Sequence, residues 1–418
     1  MMQSDLGRKS TVYFSALLLN AVLGIVVYIM LVRSMDTVSF GTYSFVIAVF
    51  LFTGMFFDFG LAPAGMRLMA LQQSDRDASR RIGALLLLSA GIGVVFAVVM
   101  AGASFAVDAI WQKNVGGILL AASPFALVYP LQEMVLSISQ GSNRMKFMSV
   151  FLVLPRVLLI AILAAMILSG GLDARMAVIA TLATLGVAIG IAAGYLRPVF
   201  SDLGEEFRFI VREVKEFGAQ VYLGRVVDGM TTGLDKILLA KFHGMAPVGF
   251  YSIAMTMSTP ISMFSKAVSQ SAYKRFVSDE GIARRLLLIN LTWCTMGAAL
   301  LLAACQLLIP LFFGARYAES LTVLPWLMAG FALAGLNHPY HAFLAARRQG
   351  RSIRIMSIAS SAVNIVLNLT LIPLLAMTGA AIAFIATYAV NILMNLHFYR
   401  TFRREAAAAE QADGSVHG

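Results

Sequence analysis

The sequence predicts an all-α integral membrane protein of about 12 transmembrane helices, arranged as two six-helix bundles related by a pseudo-two-fold parallel repeat. Three observations predict it. Hydrophobic residues make up 59% of the chain and charged residues 13%, with a mean hydropathy of +0.82, whereas a soluble domain carries about 25% charged residues. Apolar runs of about 20 residues, the length that crosses a bilayer, recur along the chain. Separated motifs in the two halves also align under one shift of about 208 residues.

The first six runs fall near 10–32, 38–59, 82–104, 115–137, 149–169 and 176–196. Arg8 and Lys9 precede the first, which is too long for a signal-peptide core and lacks a small-residue cleavage site. It therefore reads as a retained span. Residues 1–200 form the expected N-terminal lobe. The segment SDLGEEFRFIVREVKEF follows, with Leu203, Phe207, Ile210, Val211, Val214 and Phe217 on one helical stripe and charges on the other. That pattern fits a helix lying on the cytoplasmic membrane surface, a connector over 201–216 whose start is marked by the capping-box spacing of Asp202 and Glu205. Six further runs near 217–240, 247–270, 286–312, 319–341, 354–375 and 378–399 make a C-terminal lobe over 217–402. The small, polar residues 403–418 are expected to be a disordered cytoplasmic tail.

Numbering the spans in order puts roughly two dozen Lys and Arg in the loops of one side against five on the other. The five are Arg33, Lys113, Arg175, Lys241 and Arg316. This bias places both termini in the cytoplasm and accounts for the net charge of +11 without nucleic-acid binding. Cys294 and Cys305 lie eleven residues apart on one helix, about 16 Å, too far for a disulfide.

The shared shift matches Leu31, Arg33, Gly41, Tyr43 and Ser44 with Leu239, Lys241, Gly249, Tyr251 and Ser252. It also matches Arg67 with Arg275 and Met148 with Met356. Because six is even, the two repeats share one orientation, and a binding site is expected at their interface.

Span 7, GAQVYLGRVVDGMTTGLDKILLAKFH, is long enough to cross a bilayer and yet holds Arg225, Asp228, Asp235 and Lys236. A charge near mid-bilayer costs about 2.5 to 3.5 kcal/mol on insertion scales, so such a side chain faces protein or a wet cavity. Arg225 and Asp228 are three residues apart on one helix face. They read either as a mutually neutralised pair that fixes packing or as a polar wall for a passing solute. The shift sets Asp228 against Asn20 and Arg225 against Leu17, so the cluster belongs to the second half alone. Glu133 in span 4 and Arg156 in span 5 read as a buried pair, or as an aid to a polar head group entering the membrane. Asp58 and Lys266 are equivalent under the shift, and their opposite charges suggest an inner gate across the pseudo-axis.

Catalytic motifs are absent: no GxxxxGK[ST], HExxH or GxSxG occurs, nor any Cys/His pattern with metal spacing. His338 and His341 read as interfacial histidines. Neither an enzyme nor a cofactor or metal is expected. The loops also leave no room for the extracytoplasmic catalytic domain of a polysaccharide polymerase or ligase.

The motifs MDTVSFGTYSFVIA after span 1, FDFGLAPAGMR at the end of span 2, QGSNRMKFMS after span 4 and DKILLAKFHGMAPVGFYSIA between spans 7 and 8 carry a resemblance to a known family. The chain resembles, over its whole length, the polysaccharide-synthesis branch of the multidrug/oligosaccharidyl-lipid/polysaccharide exporter superfamily. The resemblance implies a flippase of the O-antigen or exopolysaccharide type in the bacterial inner membrane. Such a flippase moves undecaprenyl-pyrophosphate-linked oligosaccharide by alternating access between two lobes, with spans 1, 2, 7 and 8 lining the cavity. Arg225 and Asp228 would face that cavity with Asn20 opposite. Arg225 with Arg156 would pair the pyrophosphate, and Asp228 would couple transport to a proton or sodium ion. Polysaccharide assembly proteins are implied partners. The chain lacks the two extra helices of the lipid II flippase branch. A drug/cation antiporter of the same superfamily is the rival within transporters.

Overall fold

The computed structural model describes the backbone of residues 2–72, 74–111, 115–229, 233–278, 281–347 and 349–414. Within these, the side chains of 2–11, 14, 75, 76, 109–111, 220, 223, 227, 228, 274, 278 and 406–414 lie outside the described set. The described residues contain helices and no strand. Among the described residues, nine helices are long and apolar enough to cross a membrane. The last of these is two helices meeting at Ala376, whose φ of 51° breaks the helical backbone. The protein is a multi-pass, all-α membrane protein. Helices satisfy their backbone polar groups internally, which a bilayer core demands.

The chain forms two compact units, Met1–Gly249 and Phe250–Gly418. Residues 217–249, which the repeat assigns to the second lobe, pack with the first unit.

In the first unit, α1 (Met2–Ser34) lies along α7 (Met145–Leu168). The second apolar run is α2 (Thr37–Gly54), capped by Asp36, whose Oδ1 accepts from the Ser39 amide at 2.7 Å. This run stops close to its expected end, at Phe57. A tight turn over Met55–Phe57 is followed by left-handed Phe59 and Gly60, and the chain restarts as α3 (Leu61–Ala70). Next come α4 (Asp75–Trp111), α5 (Gly116–Ala122), α6 (Val128–Gly141), α7 and α8 (Ala174–Leu196). The core between α2, α4 and α6 is aromatic: Phe50 stacks on Tyr129, and Phe57 stacks on Phe96.

The connector is α9 (Leu203–Glu213), and it is fastened to the first unit by charge. Asp202 meets Arg80 at 3.1 Å, Glu206 meets Arg81 at 3.1 Å, and Glu213 pairs with Arg67. The guanidinium of Arg81 also lies 4.5 Å over the Phe209 ring. The expected capping box is not formed. Asp202 is left-handed, makes no side-chain cap bond, and spends its carboxylate on Arg80, since a charge-assisted partner outcompetes a neutral amide. Ile210 is buried as the stripe requires, whereas Val211 is exposed.

Span 7 is interrupted where a continuous helix was expected. α10 (Ala219–Gly229) and α11 (Leu234–His243) are separated by residues 230–232, outside the described set, and by Gly233 at φ 83°. The first unit ends with the opening turn of α12 (Met245–Ser278). There Gly41 of α2 lets the backbones approach so closely that a Cβ would strike the Met245 carbonyl.

The second unit contains the rest of α12, α13 (Arg284–Thr292), α14 (Ala298–Leu308), α15 (Ser320–Ala346) and α16 (Gly350–Gly414). Widened turns at Trp293–Gly297 and Ile309–Phe313 flank α14. Phe276, Ile282 and Phe343 form a core against Tyr399 and Phe402. Side-chain amides tie the spans together: Asn364 donates to Thr387 at 3.0 Å, Asn368 to Asn364 at 2.8 Å, and Asn290 to the Gly335 carbonyl at 3.0 Å. Such bonds join helices where lipid gives no hydrophobic drive. Helical backbone runs on to Gly414, into the stretch expected to be a tail, where Ala, Glu and Gln are strong helix formers.

Candidate functional site

Arg225 projects from α10 between two carboxylates of the first unit. Its Nη2 donates to Glu133 Oε2 on α6 at 2.8 Å, and its Nη1 lies 3.6 Å from Asp58 Oδ2. The break in the second apolar run sets this geometry. Phe59 and Gly60 turn the chain through left-handed backbone, which lets the Ala62 amide donate to Asp58 Oδ1 at 2.9 Å and fixes the carboxylate. The break also frees the Phe56 carbonyl, and Tyr222, one turn before Arg225, donates its hydroxyl to it at 3.0 Å. Gly60 and Gly218 meet backbone to backbone, and a Cβ on either would strike the other. Thus α10 is held to the broken end by a glycine contact and a tyrosine bond, with Arg225 over Asp58.

The two acids differ. The Asp58 side chain is 14% exposed, while those of Glu133 and Arg225 are 47% and 48% exposed. Asp58 Oδ2 is buried and receives no hydrogen bond. Two carboxylates facing one guanidinium leave the cluster with an excess of one negative charge.

Glu133 therefore pairs with Arg225 and not with Arg156, which overturns the expected pair between spans 4 and 5. Arg156 of α7 is half-buried, and no carboxylate pairs with it among the described residues. Tyr43 is buried and bonds Thr181 at 3.3 Å. On α1, which packs along α7, Asn20 has a buried Oδ1 with no hydrogen-bond partner. Tyr129 and Glu133 are one turn apart on α6, which packs against α7, the helix that carries Arg156.

The side chain of Asp228 lies outside the described residues. Among the described residues, the partners of Arg225 are Glu133 and Asp58, on other elements. Lys266 is exposed in the second unit, while Asp58 is engaged with Arg225 in the first. Among the described residues no group of three or more His, Cys, Asp or Glu is placed to hold a metal ion. The sequence reading missed Tyr222. Its position three residues before Arg225, on the same helix face, was the available clue.

A family model described as "Polysaccharide biosynthesis protein" matches residues 6–278. No curated protein matches the sequence significantly. Solved structures share the fold at low identity. One is the lipid II flippase MurJ in an inward closed conformation, 14% identical with TM-score 0.77, covering 93% of this chain and 87% of that one. Another is an inward-facing multidrug resistance MATE family transporter of the MOP superfamily, 15% identical with TM-score 0.72, covering 94% and 99%. A third is a MOP superfamily transporter from Pyrococcus furiosus, 15% identical with TM-score 0.63, covering 96% and 95%.

Proposed function

We propose a function from the premise that the match supplies: this chain belongs to the polysaccharide biosynthesis protein family, and its fold is that of MOP-superfamily transporters. On this reading it is a secondary transporter that flips undecaprenyl-pyrophosphate-linked oligosaccharide across the bacterial inner membrane, with both termini in the cytoplasm. Two six-helix lobes alternate in access, a proton or sodium gradient drives them, and neighbouring polysaccharide assembly proteins receive the product. The protein does no covalent chemistry.

The observation that carries this reading is Arg156, a half-buried cation within an apolar span with no carboxylate partner among the described residues. An ionised group at membrane depth is costly unless something compensates it, and a pyrophosphate would do so. A guanidinium matches phosphate oxygens in pairs. Asn20, with its unpartnered Oδ1, supports a hydrated path for sugar hydroxyls, and Arg225 is a second cation for the anion. Asp228 is kept as a candidate coupling residue. Asp58 would exchange Arg225 for Lys266 when the inner gate closes. That pairing fails if both single charge reversals abolish transport and the double reversal does not restore it.

The decisive experiment is reconstitution in proteoliposomes with a fluorescent lipid-linked oligosaccharide in one leaflet. Wild type should move it, and Arg156→Gln should move it at least about tenfold more slowly, the scale of a lost charge-assisted contact of roughly 1.5 kcal/mol or more. The negative excess of the Asp58–Arg225–Glu133 cluster favours a second reading, an organic-cation antiporter. Export of small cations by protein that ignores the lipid-linked sugar would establish that reading and end the first.

A further inference from the structure

We propose that Glu133 holds Arg225 as a stand-in for the substrate's pyrophosphate, and that it takes up one proton when the anion displaces it. This rests on the flippase reading and deepens it, adding a charge-compensating proton at Glu133 of α6 that is distinct from the gradient-coupling role kept for Asp228.

The two acids around Arg225 are not equally replaceable. Asp58 is fixed by the Ala62 amide and enclosed. Glu133 is half exposed, and among the described residues Arg225 is its one polar partner. An incoming anion therefore meets a guanidinium whose exposed face carries, among the described residues, one exchangeable carboxylate. The cluster already has a surplus negative charge, and a pyrophosphate beside Asp58 and an ionised Glu133 would crowd three anions around one cation. Like charges in a poorly screened site shift one acid to its neutral form. The balance is simple: the Arg225–Glu133 pair breaks, an Arg225–phosphate pair forms, and one proton from water joins the freed carboxylate.

Other charges around α6 do not supply that compensation. Arg67 of α3 is paired with Glu213, and Arg80 and Arg81 of α4 with Asp202 and Glu206. Asp108 at the far end of α4 accepts from the Val115 and Gly116 amides. The charged residues of α8, Arg175 and Arg197, lie at its ends, and the titratable residue of α2 is Tyr43. Among the described residues, Arg225 pairs with Glu133, Asp58 lies on the same guanidinium, and Tyr129 is one turn along α6.

Proton uptake on binding makes affinity rise as pH falls, by up to about tenfold per pH unit for one proton. Binding of farnesyl pyrophosphate to the full-length protein in detergent, from about pH 5 to about pH 8, reads this directly. The probe's own ionisation contributes equally to every variant, so the difference between proteins is the readout. Glu133→Gln should bind more tightly than wild type at neutral pH and lose the excess slope, and Glu133→Asp should restore it. Thermal unfolding matching wild type shows that these variants fold. The same slope in Glu133→Gln as in wild type overturns the proposal, as does undiminished binding by Arg225→Gln. Flipping of lipid-linked oligosaccharide alongside either result would leave the transport reading standing, whereas wild type that binds no pyrophosphate at any pH removes both.

Discussion

Tyr222 donates its hydroxyl to the carbonyl of Phe56 at 3.0 Å, so the helix bearing Arg225 is bound to the place where the second apolar run gives out. That carbonyl is available because the run stops at Phe57 and turns through left-handed Phe59 and Gly60. The Tyr222 bond and the Gly60–Gly218 contact together fix where a guanidinium can stand in the first unit.

Tyr222→Phe removes this bond and leaves the Phe56 carbonyl without its donor. The expected cost is about 1 kcal/mol, within the range for one lost hydrogen bond, read as a lower Tm in detergent. Gly60→Ala should cost more, because the new methyl meets the Gly218 carbonyl and the backbone there is left-handed. Folded yield by size-exclusion chromatography checks this; an alanine variant as stable as wild type would contradict the contact.

Arg225→Gln leaves Asp58 and Glu133 facing each other without a cation. Both the Arg225 and Glu133 side chains are about half exposed, so the penalty falls below that of a buried pair, at about 1 to 2 kcal/mol. Adding Asp58→Asn to this variant should recover most of the lost stability. A double variant no more stable than the single would show that Asp58 does not feel Arg225.

Reversing Arg67, Arg80 and Arg81 to Glu should release α9, since each meets a carboxylate of the connector or its flanks. Limited proteolysis within residues 197–217 is the measure: the reversed protein should be cut there, and wild type should resist. Restoring the pairs with Asp202→Lys, Glu206→Lys and Glu213→Lys should restore protection.

Gly171→Cys and Lys146→Cys, each introduced with Cys294 and Cys305 replaced by Ala, should label from opposite sides of the intact cell membrane. The basic bias of the loops predicts this orientation, and both positions are exposed. A membrane-impermeant maleimide should reach Cys at 171 first; labelling at 146 alone would invert the topology.

The helical architecture was legible because apolar length is a strong signal, and nearly every expected run has a helix in the structure. The breaks were less so. The motif containing Phe57, Asp58, Phe59 and Gly60 was legible as the end of the second span, whereas the left-handed turn through Phe59 and Gly60 was not. The charged residues of the site were found from their cost in a bilayer, while their partners were not, because pairing across a bundle depends on rotation about each helix axis. Glu133 was therefore matched to Arg156, whereas packing brings Glu133 and Asp58 to Arg225. The capping box failed for a related reason: Arg80 is distant in sequence and near in space.

The fastening of α9 gives three arginines two successive duties. On the proposed topology, Arg67, Arg80 and Arg81 would act during insertion as unattached positive charges that hold their loops back from crossing. Once the spans are in place, the same guanidiniums become the moorings of a helix made about 130 residues later. A neutralising substitution at these positions would thus injure the protein twice, first in biogenesis and then in the finished molecule, and a pulse-chase experiment could separate the two injuries in time.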